Sequence, residues 1–390
     1  MNKKIKLIII IYILLLLLNY PFTMRFYNYN RNNTINNSEQ NIKTNETLFE
    51  VVTNSHNYVF NAHFGFLTQS IPNKIKRNPD ISVVIPIFNS ENYIRRTILS
   101  IQNQNFSDFE IIIINDNSID NSLKIVNKLS EIDKRIKVIN NKKNMGQFYG
   151  RCIGTILSKG KYIFPLDSDD MYLIHDTFYS VYNELKKNKP DFLLFKGIRS
   201  FDFNNFFKNE NISFFRGYIN NNKIFYQPSI VKSSYKQCSL QAASISKNLY
   251  LKIINTYGKF HLYDHIAFCE DCIINHFMYQ FAKSCEHFTK VGYLYIYRAS
   301  SHSHTDAIIN KRKSEIYYIE VLYEYSQFSN RTKMLSLRLL KDFINDKNFK
   351  FVLKEEKTKM LVKSLINKII RDKSISTINK KNFNISIFSF

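Results

Sequence analysis

The sequence is poor in the residues that cradle phosphates. Glycine occurs only nine times in 390 residues. No Gly-x-Gly-x-x-Gly follows the first apolar strand candidate, and no Gly-Lys-Ser/Thr appears. A dinucleotide-binding turn and a P-loop both need those glycines for close backbone approach, so neither reading has its phosphate site. Cysteine is scarce too: Cys152, Cys238, Cys269, Cys272 and Cys285 are too few to staple a domain of this size. Cys269-x-x-Cys272 lacks a second pair at zinc-finger spacing. No repeat is present, which excludes a solenoid or propeller.

Acidic side chains are outnumbered, 32 against 55 Lys and Arg, for a formal charge of +23. The excess is mostly Lys scattered among Asn and Ile, notably over 308–381, with no compact Lys/Arg block. That pattern favours a solvated basic surface over a nucleic-acid face, so no nucleic-acid partner is expected. There is one long apolar run, Leu7–Leu18, broken only by Tyr12 and preceded by Lys3, Lys4 and Lys6. Extended through Met24 it approaches the roughly 20 residues of a membrane span. No small-x-small cleavage pattern follows it. The expectation is an uncleaved signal anchor over 1–24 and a single-pass type II membrane protein, facing the Golgi or another secretory lumen. Sequons at Asn32, Asn36, Asn45, Asn105, Asn211, Asn330 and Asn384 fit that compartment.

Residues 25–78, rich in Asn and Thr, read as a luminal stem whose aromatic piece, Tyr58–Leu67, is able to dock. From Ile81 the pattern changes. Strand-like runs at Ile81–Pro86, Phe109–Ile114, Arg135–Ile139 and Lys161–Leu166 alternate with helical spacing over Glu91–Gln102, Ser118–Leu129 and Met145–Ser158. Such alternation predicts an α/β fold, a mostly parallel sheet with helices on both faces. Asp191–Lys196 and Thr289–Tyr297 add strands, and Leu240–Tyr257 and Phe268–Ala282 read as helices. An α/β domain over 79–304 and a basic, helical C-terminal extension over 305–390 follow.

Ligands of an open parallel sheet collect at the carboxyl ends of its strands. Four consecutive ends here are polar: Pro86-Ile-Phe-Asn89, Asn115-Asp-Asn-Ser118, Asn144-Met-Gly146 and Asp167-Ser-Asp169-Asp170. Carboxylates crowded like the last group repel one another unless a cation or hydrogen-bond donors join them. Hard divalent cations such as Mn²⁺ or Mg²⁺ take oxygen ligands and share them with a diphosphate.

In order and spacing these strings resemble the family 2 glycosyltransferases of the GT-A fold. The matching residues are SVVIPIFN at 82–89, FEIIIINDNSIDNS at 109–122, NMGQFYGR at 144–151 and GKYIFPLDSDD at 160–170. The Glu270-Asp271 pair and LYIYR at 294–298 complete them. The resemblance runs from about Ile81 to Arg298. It implies a nucleotide-diphosphate sugar as donor, a UDP-sugar first, and a carbohydrate-bearing acceptor. By the same resemblance Pro86 and Asn89 line the base end of the donor pocket. Asp116 reads the nucleobase, Arg151 stands near the nucleotide, Asp167 faces the ribose, and Asp169 with Asp167 holds Mn²⁺ or Mg²⁺. Asp271, with Glu270 beside it, is the expected general base of an inverting transfer. His302 and His304 are weaker candidates for the metal or diphosphate.

The chain departs from the pattern at Asn115, where many members carry Asp, and at Cys152, often Asn. The absence of Trp removes the Gln-x-x-Arg-Trp signature of processive synthases, so a distributive enzyme is expected. The alternative is an inactive GT-A module that binds sugar nucleotides or glycans, against which the retained Asp116, Asp167, Asp169 and Asp271 argue.

Overall fold

In a computed structural model, residues 47–72, 78–200, 203–208, 212–215, 223–226, 240–258, 270–297, 308–325, 330–344 and 356–372 are described. The expected anchor over 1–24, most of the expected stem before Thr47, and both His302 and His304 lie outside them. Among the described residues no helix is long and apolar enough to cross a membrane.

The sheet begins with four parallel strands in the spatial order β3-β2-β1-β4. They are β1 (Ile81–Ile87), β2 (Phe109–Asn115), β3 (Ile136–Asn140) and β4 (Tyr162–Pro165). Every residue of β1 and β2 is buried, as continuous Ile/Val runs demand when helices cover both faces. The intervening helices are α2 (Ile94–Gln102), α3 (Ser122–Ile132) and α4 (Gln147–Leu157). Helix α4 lies very close to the sheet. A Cβ on Gly150 would stand 2.8 Å from Pro86 Cβ, so glycine is what lets the helix approach β1.

Beyond β4 the sheet becomes mixed. Short β5 (Met171–Tyr172) pairs antiparallel with β10 (Ser284–Ile296), and β6 (Phe192–Ser200) runs parallel to β10. Two strands add at the side, β7 (Ile212–Phe215) on β6 and β8 (Lys223–Tyr226) on β10. Strand β9 (Ala243–Ser246) is antiparallel to both β4 and β6, joining the two halves. This corrects the helix expected over Leu240–Tyr257. That helix begins only at Lys247, capped by Ser246 Oγ accepting from the Leu249 amide.

Helix α1 (Leu48–His63) opens with a Thr47/Glu50 capping box. Its Val51, Val52, Val59 and Ala62 share a core with Leu99, Met171, Leu173 and Ile296. Of the aromatic piece expected over Tyr58–Leu67, Tyr58–His63 thus belongs to this docked helix, whereas Phe64, Phe66 and Leu67 lie beyond its end and are exposed. Helices α5 (Thr177–Asn188) and α6 (Phe203–Lys208) precede and follow β6. Next come α7 (Lys247–Ile253), which runs into a π-turn over Ile254–Gly258, and α8 (Glu270–Phe281).

The C-terminal helices α9 (Ile308–Glu324), α10 (Asn330–Ile344) and α11 (Glu356–Arg371) bury their own core of Ile316, Leu340, Phe343, Leu365 and Ile369. Tyr325 ties them to the sheet domain: its hydroxyl donates to Thr256 O at 2.9 Å, and its ring meets Phe277 of α8 edge-on.

Candidate active site

The site lies at the carboxyl ends of β1, β2 and β4. Asn89 follows β1 in the left-handed region (φ 48°), a conformation Asn tolerates better than most side chains. Its amide donates to Ser118 Oγ and its Oδ1 accepts from the Ile119 amide at 3.0 Å. Asn89 therefore clasps the loop after β1 to the loop after β2. Pro86 packs its ring against Gly150.

Asp116, at the end of β2, organises the third loop. Its Oδ1 accepts from Asn141 Nδ2 and the Met145 amide, both at 2.8 Å, and Oδ2 accepts from the Gly146 amide at 2.7 Å. A carboxylate has about four acceptor directions, so among the described residues one on Oδ2 remains. Gly146 takes φ 89°, turning the chain directly into α4.

That turn delivers Arg151, whose side chain is only 2% exposed and meets three carboxylates. Its Nη2 lies 2.6 Å from Asp167 Oδ1, 3.4 Å from Asp271 Oδ1 and 3.9 Å from Glu270 Oε1. Asp167 comes from the end of β4, and the other two acids from the first turn of α8. Asp167 and Asp271, 104 positions apart in sequence, are thus joined through one guanidinium. Burial alone would lower the arginine's pKa, but Asp167, Asp271 and Glu270 together raise it well above the ordinary value. One positive charge does not offset three negative ones. The excess falls on Glu270, whose carboxyl is pushed up to about 8 by burial and then by Asp271, against the pull of Arg151. At neutral pH it is mostly protonated.

Two residues that the sequence did not single out complete Asp167. Gln147 Nε2 donates to Oδ1 at 3.0 Å and Gln241 Nε2 to Oδ2 at 2.9 Å. Gln147 lies inside the NMGQFYGR string. Gln241 sits in a stretch without a matching motif, beside Ala242 at φ 53°, a costly conformation for alanine. The third acid of the cluster turns inward. Asp170 accepts from Tyr293 Oη at 2.8 Å and from the Ile296 amide at 3.2 Å. Burial, then Asp169 and Asp167, raise its pKa well above the ordinary range, so it acts as a tie to β10.

Among the described residues no three His, Cys, Asp or Glu side chains converge on one point to hold a metal. The donor set nevertheless fits a hard cation shared with a ligand. All its donors are carboxylate oxygens, and Mg²⁺-type sites commonly use one or two carboxylates plus substrate phosphates. The site is also locally acidic within a chain of charge +23, so a bare diphosphate entering it would be repelled.

A family model described as glycosyl transferase family 2 matches residues 82–250, which run from β1 into α7 and include every candidate site residue named from the sequence and described here except Glu270 and Asp271. Over these residues the chain carries a family 2 glycosyltransferase domain. An uncharacterized glycosyltransferase of Haemophilus influenzae is 37% identical over 110 residues, 28% of this chain and 44% of that protein. The hyaluronan synthase of Pasteurella multocida is 39% identical over 115 residues, 30% of this chain and 12% of that protein. The chain therefore spans less than half the length of these curated relatives. Among solved structures, TarS 1–349 of S. aureus in complex with UDP-GlcNAc aligns with a TM-score of 0.51 at 17% identity. That alignment covers 75% of this chain and 81% of TarS 1–349. At that identity the likeness is one of fold, and the fold is GT-A. The named relatives are bacterial, and bacteria have no Golgi. With no described helix fit to span a membrane, the type II Golgi placement is corrected.

Proposed function

We propose that this family 2 enzyme transfers a sugar from a nucleotide diphosphate, with a UDP-sugar as donor, to a hydroxyl of a carbohydrate-bearing acceptor with inversion. The single observation that carries the reading is the Arg151 bridge, which holds Asp167, on the donor side, within one guanidinium of Asp271. The UDP-GlcNAc named for TarS supports UDP as the nucleotide.

In this reading Asp116 keeps one Oδ2 direction for an N–H of the base, while Pro86 and Asn89 line that end of the pocket. Asp167 has three of its acceptor directions taken by Gln147, Arg151 and Gln241 and gives the remaining one to the ribose, so Asp169 is the carboxylate that would hold Mn²⁺ or Mg²⁺ beside the diphosphate. What such a cation supplies, when bound, is neutralisation of the charge that grows on the leaving diphosphate. Asp271 takes the acceptor O–H proton as that oxygen attacks C1 of the donor. The new O–C1 bond forms on the face opposite the breaking C1–O bond, and the electron pair leaves with the diphosphate. Glu270, held protonated, adds no second negative charge beside the attacking oxygen. Arg151 sets a positive charge 3.4 Å from Asp271 Oδ1, which favours a carboxylate there over a neutral acid.

A panel of sugar nucleotides tests this. The full chain should release UDP from one UDP-sugar with Mn²⁺ or Mg²⁺ and stop when EDTA is added. Full activity in EDTA contradicts the metal role. Binding without release or transfer under any condition favours the inactive, sugar-nucleotide-binding module instead.

A further inference from the structure

The turn that carries Asp169 is held from outside the motif. The Thr97 hydroxyl lies 2.9 Å from both Ser168 O and Asp170 O, one hydrogen shared by the carbonyls on either side of Asp169. Arg96 Nη2 reaches Asp169 O itself at 3.5 Å, and the Tyr172 amide donates to Ser100 Oγ at 3.1 Å. Just past the end of α2, Gln104 Nε2 donates to Ile174 O at 2.8 Å and its Oε1 accepts from the Phe178 amide at 3.0 Å. Residues 96, 97, 100 and 104 follow helical spacing along one face. The segment from Ser168 to Phe178 is stitched to that face tie by tie.

Helix α1 grips the same face. The Tyr58 hydroxyl donates to Ser100 O and accepts from Gln104 Nε2 at 2.6 Å. Burial raises its pKa far above the ordinary tyrosine value, so it stays neutral and keeps its proton for Ser100. Arg96 lies over the Phe203 ring at 4.4 Å, and Phe203 stacks on His63 of α1 at 4.1 Å. Val51, Val52 and Val59 of α1 pack in one core with Leu99, Met171 and Leu173. Yet α1 ends before residue 82, where the family 2 match begins.

We propose that α1 is a positioning element of the active site. Through Tyr58 it fixes α2, and α2, through Thr97, fixes the carbonyls that aim the Asp169 carboxylate. The inference rests on the proposed function, because it gives Asp169 a role in holding the cation and diphosphate. Tyr58 and Thr97 touch neither substrate nor cation; they act through the turn. A side chain tilted away from a shared cation weakens nucleotide binding with metal and leaves metal-free binding as it was.

The test uses the full chain with Thr97→Val, Thr97→Ser and Tyr58→Phe. UDP binding is read by calorimetry with and without Mn²⁺, and amide hydrogen exchange is followed over 168–174. Thr97→Val should weaken Mn²⁺-dependent UDP binding about fivefold, the equivalent of one hydrogen bond, and Thr97→Ser should restore it. Tyr58→Phe should act in the same direction, and both Val and Phe variants should speed exchange at 168–174 with metal-free binding unchanged. Wild-type Mn²⁺-dependent UDP binding in both variants overturns the inference, as does equal loss of binding with and without metal. Unchanged exchange breaks the relay whether or not nucleotide binds. A wild-type chain that binds no UDP overturns the functional reading itself, and the inference with it.

Discussion

Arg151 Nη2 stands 3.4 Å from Asp271 Oδ1 while the same nitrogen donates to Asp167 at 2.6 Å. The two ends of the proposed reaction, donor binding and proton removal, therefore share one buried cation. Its loss should be felt at both. Arg151→Ala should lower unfolding stability by about 3 kcal/mol or more, because it leaves buried carboxylates without a counter-charge. Arg151→Lys should recover only part of that, since a single ammonium does not reproduce the planar reach of a guanidinium. Urea unfolding of the two variants checks this, and equal stability of Arg151→Ala and wild type contradicts it.

Glu270 sets a pH dependence. Its folded carboxyl titrates at about 8, against an ordinary value of 4.5. Between those values the folded chain holds a proton that the unfolded chain has released. Stability is therefore greatest below about 4.5 as far as this group is concerned, falls as pH rises and levels off above about 8. Glu270→Gln should flatten this part of the profile, as read by melting temperature from pH 5 to 9.

Gln241 should matter for binding more than for chemistry. Gln241→Leu removes the donor to Asp167 Oδ2, at a cost of about 1 kcal/mol. Donor KM should rise about fivefold with kcat little changed. A fall in kcat alone would place Gln241 elsewhere in the reaction.

Gly150→Ala tests how the site is mounted. The added methyl would meet Pro86 Cβ at 2.8 Å, forcing α4 and its Arg151 away from β1. Overpacking of this kind costs about 1–3 kcal/mol. Thermal unfolding reads that cost, and a parallel loss of UDP binding ties it to Arg151.

Much of this was legible in the chain because buried parallel strands are continuous apolar runs that stop abruptly. IIIIN at 111–115 and YIFPLD at 162–167 mark strand ends by their polar residues alone, and Asp116 and Asp167 stand there. The partners of those acids were not legible. Gln241 reaches Asp167 across 74 positions from a segment whose register depends on a left-handed alanine rather than on any pattern. Strand β9 was hidden because four residues, Ala-Ser-Ile-Ser, are too few to set a period against the helix that follows. Helix α1 was obscured by its Asn and His content, although Thr47-x-x-Glu50, its capping box, was readable. Arg151 stood inside a motif, but that it joins Asp167 to Asp271 depends on how α8 packs against α4, which no local string encodes.

The most direct test of the account is Asp271→Asn, which removes the proposed base and keeps the side chain's shape. UDP-sugar binding and turnover are measured on one preparation with Mn²⁺ present. The account predicts donor affinity close to wild type with transfer reduced by about 10²–10⁴-fold, the scale of a lost general base. Unchanged turnover would contradict it.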